Sequence, residues 1–236
     1  LHHIYATRPN HGKRRAEETA LWSPGAHDVS VVLRLAGGEE PVELNATGEC
    51  YMQEGIEDVV FAYMRFPSGL AAHLHLSWLD PHKERRFTVV GSKKMATFDD
   101  MELERKLTIY DKGFDQSPSS YGEYITRSGD VSSPSIPNDE PLRIECAHFV
   151  DSIRSGEPPR SDGASGLRVV RVLEALQQSL GGGRVLGPQV VEKALFGAGP
   201  LAGVEGQVGD LLGLETLAEG VEGDEEAQGQ GERRQP

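Results

Sequence analysis

Hydrophobic positions along the chain change period at definite points. Val29, Val32, Leu33 and Ala36 fall at i, i+3, i+4 and i+7, one face of a helix. Ser23-Pro24 ahead of them offers a cap and a first helical residue with no N–H to lose, and Gly37-Gly38 behind them supplies a stop. The period then shortens to two. Residues 41–47 read as a strand, 58–66 and 69–78 as a hairpin through Pro67-Ser68, and 85–90, 96–99 and 106–111 as further strands, the first two of these joined through Gly91-Ser92-Lys93. In the strand ending at Trp78, Leu70, Ala72, Leu74, Leu76 and Trp78 point one way, and Ala71, His73, His75 and Ser77 the other.

Residues 113–140, rich in Ser, Pro and Gly, read as one long loop. The helical period returns with Leu142, Cys146, Phe149, Val150 and Ile153 on one face. A second stripe follows over about 164–180, Leu167, Val170, Leu173, Leu176 and Leu180, with Ser161-Asp162 placed to cap it. Strands joined by short links favour antiparallel pairing over a βαβ crossover pattern. The expected fold class is α+β: an open, largely antiparallel sheet with helices packed on one face.

Composition divides the chain in two. Residues 181–236 hold half of the 28 glycines, and Phe196 is their only aromatic residue. Such a stretch buries too little apolar surface to offset its ordering entropy, so 1–180 reads as the folded domain and 181–236 as a solvated, Gly- and acid-rich tail. The net charge of −13 argues against nucleic acid or an anionic membrane as partner. No apolar run approaches the ~20 residues of a membrane span, and Leu1-His2-His3-Ile4-Tyr5 lacks the basic and apolar regions of a signal peptide. Cys50 and Cys146 are too few for a disulfide scaffold or a Cys-based zinc site. A cytoplasmic location is expected.

Candidate chemistry is sparse. His73 and His75 have a spacing found in some metal sites, with His82 near in sequence, but no Cys or carboxylate joins them, and histidines on a polar or interfacial sheet face account for the pattern more simply; no metal ligand is assigned. His27 falls in the first turn of the Ser23 helix, where the helix dipole favours neutral imidazole. A neutral imidazole there suits a general base, but by spacing alone a surface or capping residue is the simpler reading.

Several separated stretches, in order, resemble one family. Arg8-Pro9-Asn10-His11-Gly12-Lys13-Arg14-Arg15 and Ala20-Leu21-Trp22-Ser23-Pro24-Gly25-Ala26-His27-Asp28-Val29-Ser30 are similar to the second domain of the glucose–fructose oxidoreductase/inositol dehydrogenase (Gfo/Idh/MocA) family. Ser77-Trp78-Leu79-Asp80-Pro81-His82-Lys83 and Val89-Val90-Gly91-Ser92-Lys93-Lys94-Met95-Ala96 resemble its sugar-nucleotide branch, the UDP-N-acetylglucosamine and UDP-N-acetylglucosaminuronate 3-dehydrogenases. Glu140-Pro141-Leu142 and Ser161-Asp162-Gly163 fit the same pattern, and the resemblance covers about residues 3–180.

The resemblance implies oxidation of a sugar hydroxyl by hydride transfer to NAD(P), with His27 at the position of the catalytic base. It places Asn10, Gly12 and Arg15 in a loop near the sugar-nucleotide pocket, with Asn10 and Arg15 as substrate contacts and a surface role for Arg15 as the alternative. It also implies a homo-oligomer formed through the open sheet. The chain departs from the family in three ways. No nucleotide-binding domain, Gly-rich fingerprint or Glu-Lys-Pro stretch is present. Ser23 stands four residues before His27, where the family often has Asp. The tail has no counterpart. Two readings follow: the substrate-binding half of an NAD(P)-dependent sugar or UDP-sugar oxidoreductase, incomplete by itself, or a non-catalytic remnant acting as a sugar-nucleotide-binding or dimerisation module.

Overall fold

The computed structural model describes residues 1–11, 17–116, 124–182 and 185–186. The expected tail falls almost wholly outside the described residues, as do Gly12 and Arg15. The chain runs through β1 (His3–Pro9), α1 (Gly25–Leu35), β2 (Glu43–Glu49), β3 (Val59–Arg65), β4 (Ala71–Ser77), β5 (Arg86–Val90), β6 (Met95–Asp99), β7 (Leu107–Gln116), β8 (Tyr124–Ser132), α2 (Pro141–Ser155), α3 (Gly163–Gly182) and β9 (Val185–Leu186). Among the described residues the strands form one nine-stranded sheet in the order β8-β7-β6-β5-β1-β4-β3-β2-β9. Only β1 and β4 pair in parallel, Ile4 opposite Ala72 and Ala6 opposite Leu74; the other neighbours are antiparallel. The α+β class is as expected.

The alternation read in β3 and β4 is realised. Val60, Ala62 and Met64, and Ala72, Leu74 and Leu76, turn inward to one core with Ile4 and Ala6 of β1. Val29, Val32 and Leu33 of α1 and Val172, Leu173, Ala175 and Leu176 of α3 close over them. Each fully buried Leu or Val in this layer contributes about 1.5–3 kcal/mol relative to exposure. α3 is seated by more than apolar contact: the Ser179 hydroxyl accepts the Ala46 N–H at 3.0 Å. A Cβ on Gly48 would lie 2.8 Å from the Val59 carbonyl oxygen and 3.1 Å from Leu180, so the missing side chain is what lets β3 and the end of α3 approach β2 this closely. Asp162 caps α3 as expected, accepting the Ser165 N–H at 2.7 Å.

One strand was not expected, and three expectations are corrected. β1, a central strand, carries little sequence signal, because its inward side shows only Ile4 and Ala6 before the charged Arg8. Residues 113–140 are not one loop: β7 continues to Gln116 and pairs with β8, whose polar sequence hides its strand character. α1 begins one residue late, with Pro24 at the cap position and no side-chain cap from Ser23. The apolar face of α2 does not reach the core; no α2 residue is buried, and Leu142, Phe149 and Ile153 are 61%, 62% and 68% exposed. α3 likewise buries Leu173 and Leu176 but leaves Leu167 and Val170 exposed. Cys50 and Cys146 are exposed and unbridged. Among the described residues no helix is long and apolar enough to cross a membrane.

Gly48→Ala is expected to cost about 1–3 kcal/mol, because the added methyl meets backbone and packed side chains rather than open space. Urea unfolding would report it as a lower midpoint at unchanged slope. An unchanged midpoint would contradict the close seating of α3 and β3 on β2.

Candidate functional site

The parallel pair brings the carboxyl ends of β1 and β4 to the same edge of the sheet. Asn10, just past β1, donates its backbone N–H to the Ser77 carbonyl at 2.9 Å, and Glu84 donates to the Pro9 carbonyl at 3.0 Å. The N-terminus of α1 meets the same edge: a Cβ on Gly25 would lie 2.7 Å from Leu76 Cδ1. A helix N-terminus at this edge adds favourable potential for negative charge.

A buried ion pair ties this edge to the helix. Arg8 lies on the inward side of β1, and its Nε and Nη2 reach the same Asp28 oxygen at 2.7 Å and 2.6 Å. Asp28 is 1% exposed and its Oδ2 has no hydrogen-bond partner among the described residues. Burial pushes the Asp28 carboxyl above its usual range; the hydrogen bond and charge of Arg8 pull it back, with smaller help from His27 and Arg85. Sequence reading passed over this pair, since an Arg and an Asp 20 positions apart carry no local signal.

Of the predicted site residues, the structure brings two to this edge. His27 precedes Asp28 and is exposed in the first turn of α1. Asn10 is two residues past Arg8 and half-buried. Both therefore flank the Arg8–Asp28 pair. Arg15 lies outside the described residues. The approach to α1 is held separately: Trp22 Nε1 donates to Gln177 Oε1 at 3.1 Å, Gln177 Nε2 donates to Glu57 Oε1 at 3.5 Å, and Ala20 N–H reaches the Glu57 carbonyl at 2.8 Å. This chain of contacts makes α3 a support for the turn that presents His27.

His73 and His75 belong to the opposite, outward face. His3 Nε2 and His73 Nδ1 are 2.8 Å apart, Tyr63 lies against His73 with ring centres 4.9 Å apart, and His75 stacks on Phe61 at 4.5 Å. His82 is in the loop after β4, where its N–H is held by Asp80. Among the described residues no group of three or more His, Cys, Asp or Glu side chains is placed to hold a metal ion.

Residues 2–97 match the family model described as the GFO/IDH/MocA C-terminal domain. No curated protein matches the sequence. Among solved structures, one from Magnetospirillum magnetotacticum MS-1, described as an oxidoreductase, is 30% identical with a TM-score of 0.60, covering 74% of this chain and 54% of its own. UDP-N-acetylglucosamine 3-dehydrogenase GnnA from Acidithiobacillus ferrooxidans is 23% identical with a TM-score of 0.60, covering 75% of this chain and 54% of its own. GenD2 from gentamicin A biosynthesis, solved in complex with NAD, is 19% identical with a TM-score of 0.58, covering 78% of this chain and 55% of its own. The latter two likenesses establish the fold alone. The chain spans about half the length of the solved structures it matches. The resemblance read from the separated sequence stretches is borne out.

Removing one partner of a buried ion pair leaves an uncompensated charge, so Arg8→Met is expected to cost about 3–5 kcal/mol at pH 7. The double variant Arg8→Met/Asp28→Leu should recover most of that loss. A carboxyl raised by burial is held protonated more readily by the native than by the unfolded chain. Its stabilising contribution is present below the ordinary value of 3.8 and lost as pH rises through the native value, so the Arg8→Met penalty should shrink on acidification. Urea midpoints across pH 4–8 would check both; a penalty independent of pH would show that Asp28 is not the group left behind.

Proposed function

With residues 2–97 a GFO/IDH/MocA C-terminal domain, we propose that this chain is the substrate-binding half of an NAD(P)-dependent oxidoreductase acting on a sugar or UDP-sugar hydroxyl by hydride transfer. The observation that carries the reading is the gathering of Asn10 and His27 around the Arg8–Asp28 pair, at the carboxyl ends of β1 and β4. This edge lies in a fold shared with a UDP-N-acetylglucosamine 3-dehydrogenase.

The described residues do not fit a dinucleotide. Among them no Gly-rich turn joins a strand to a helix N-terminus, and the glycine that opens α1, Gly25, is filled by the approach of Leu76. The redox cofactor therefore belongs to another domain. This chain's part is to bind the sugar and manage its proton. His27, open to solvent at the rim, takes the proton of the reacting hydroxyl. The Asn10 amide offers both a donor and an acceptor to neighbouring sugar hydroxyls. Arg15, five residues after Asn10 in sequence, supplies a fork for a diphosphate or carboxylate oxygen pair. The bare face of α2, with Leu142, Phe149 and Ile153, is the seat of the nucleotide-binding half, which the relatives' twofold greater length allows for.

The outward sheet face supports self-association. The registers align Asn45, Tyr63, His73, Tyr5, Thr88, Thr97 and Thr108 in one row across the sheet, without a formal charge at neutral pH. Beside this row, Arg65 pairs with Glu43 and Arg86 with Asp99, each at 2.9 Å. For a chain of net charge −13, such a face avoids like-charge repulsion between copies. Strand spacing and rise give these seven strands roughly 700 Å², close to the ~800 Å² per partner of a stable interface.

Titration calorimetry of the chain with UDP-N-acetylglucosamine should show binding, with Kd raised about ten-fold by Asn10→Ala for the lost hydrogen bonds. NAD should not bind the chain alone; tight NAD binding would mean that a nucleotide site has been overlooked. Absence of UDP-sugar binding in a chain that still self-associates would favour the dimerisation module instead.

A further inference from the structure

We propose that the His3–His73 pair makes self-association through the outward sheet face sensitive to pH, the face closing on a second copy when the pair is neutral and parting when it is protonated. The inference rests on the dimer reading above and adds its regulation.

His3 and His73 sit on adjacent parallel strands, diagonal to each other, with their nitrogens 2.8 Å apart and their rings edge to face. At that separation a neutral pair shares one hydrogen bond, one ring donating and the other accepting. A first added proton leaves that bond in place but puts a full charge on the face. A second turns both nitrogens into donors aimed at each other, which breaks the bond and sets two like charges side by side. Burial and the neighbouring His3 already hold His73 below its usual imidazole range in the single chain. Covering the face with a second copy removes the remaining water and disfavours the charged forms further. The dimer therefore binds fewer protons than two separate chains, and by linkage association weakens as pH falls below the ordinary imidazole value of 6.5, where the single chain takes up protons on this pair.

Among the described residues, no unengaged carboxylate faces these imidazoles. From β1 the pair faces Tyr5, with His2 and the Leu1 amino group at the strand's head. From β3 it faces Tyr63 and Arg65, the latter turned to Glu43. From β5, across β1, the nearest charge is Arg86, already bound to Asp99. From β4 itself His75 is stacked on Phe61. No free carboxylate among these groups would hold a protonated His3 or His73 in a closed interface.

Sedimentation equilibrium of the full chain at pH 8.0 and pH 5.5 tests this. The dimer Kd should rise about ten-fold or more at the lower pH, each proton released per dimer formed giving up to about ten-fold per pH unit. His3→Gln/His73→Gln, which keeps the polar contact without an imidazole, should dimerise at both pH values with a Kd change under about three-fold. A wild-type Kd that does not move with pH, or an equal rise in the double variant, would overturn the inference while leaving the dimer intact. A chain monomeric at both pH values would instead overturn the dimer reading, and this one with it. Circular dichroism at both pH values separates dissociation from unfolding: loss of the folded signal at pH 5.5 would count against a switch confined to the interface.

Discussion

The Arg8–Asp28 pair is the constraint around which the candidate site is organised. A carboxylate that is 1% exposed is strongly disfavoured unless a cation reaches it, and Arg8 does so through two nitrogens. That contact fixes the last residues of β1 against the first turn of α1. Asn10 and His27 flank the two partners in sequence, so their relative placement follows from this bond. The two residues assigned to substrate are thus set by a group that need never touch it.

The sheet serves two purposes through its two faces. Inward, the small Ala6, Ala62 and Ala72 let α1 and α3 lie close, and Gly48 removes the last obstacle where α3 meets β2. Outward, a row of Tyr, His, Thr and Asn side chains is polar enough to stand in water and uncharged enough to be covered. A β-strand alternates its side chains strictly, so the choice of residues at odd positions is independent of packing at even ones. The proposed site and the proposed contact surface therefore occupy opposite sides of one element set without competing.

α2 marks the limit of what the described residues explain by themselves. Its apolar stripe has the spacing of a core-facing helix, yet it is exposed throughout. Periodicity states that a face is apolar and says nothing about which surface meets it. The same holds for Leu167 and Val170, whose successors Leu173 and Leu176 are buried because β2 and α1 happen to lie under that half of α3.

The sequence by itself determined the α+β class, the β3–β4 hairpin with its inward and outward sides, and the extents of α1 and α3 within a residue or two. These are properties of neighbours in the chain: alternation, helical spacing, Gly37-Gly38 stops and the Asp162 cap all act within a few residues. Tertiary structure decided the rest. β1 became a strand because β4 and β5 flank it on both sides, not through any pattern of its own. β8 formed because it could pair with β7. Arg8 found Asp28, and His3 found His73, across separations of 20 and 70 residues. Such contacts depend on where whole elements come to rest, and no local rule of spacing or propensity encodes that.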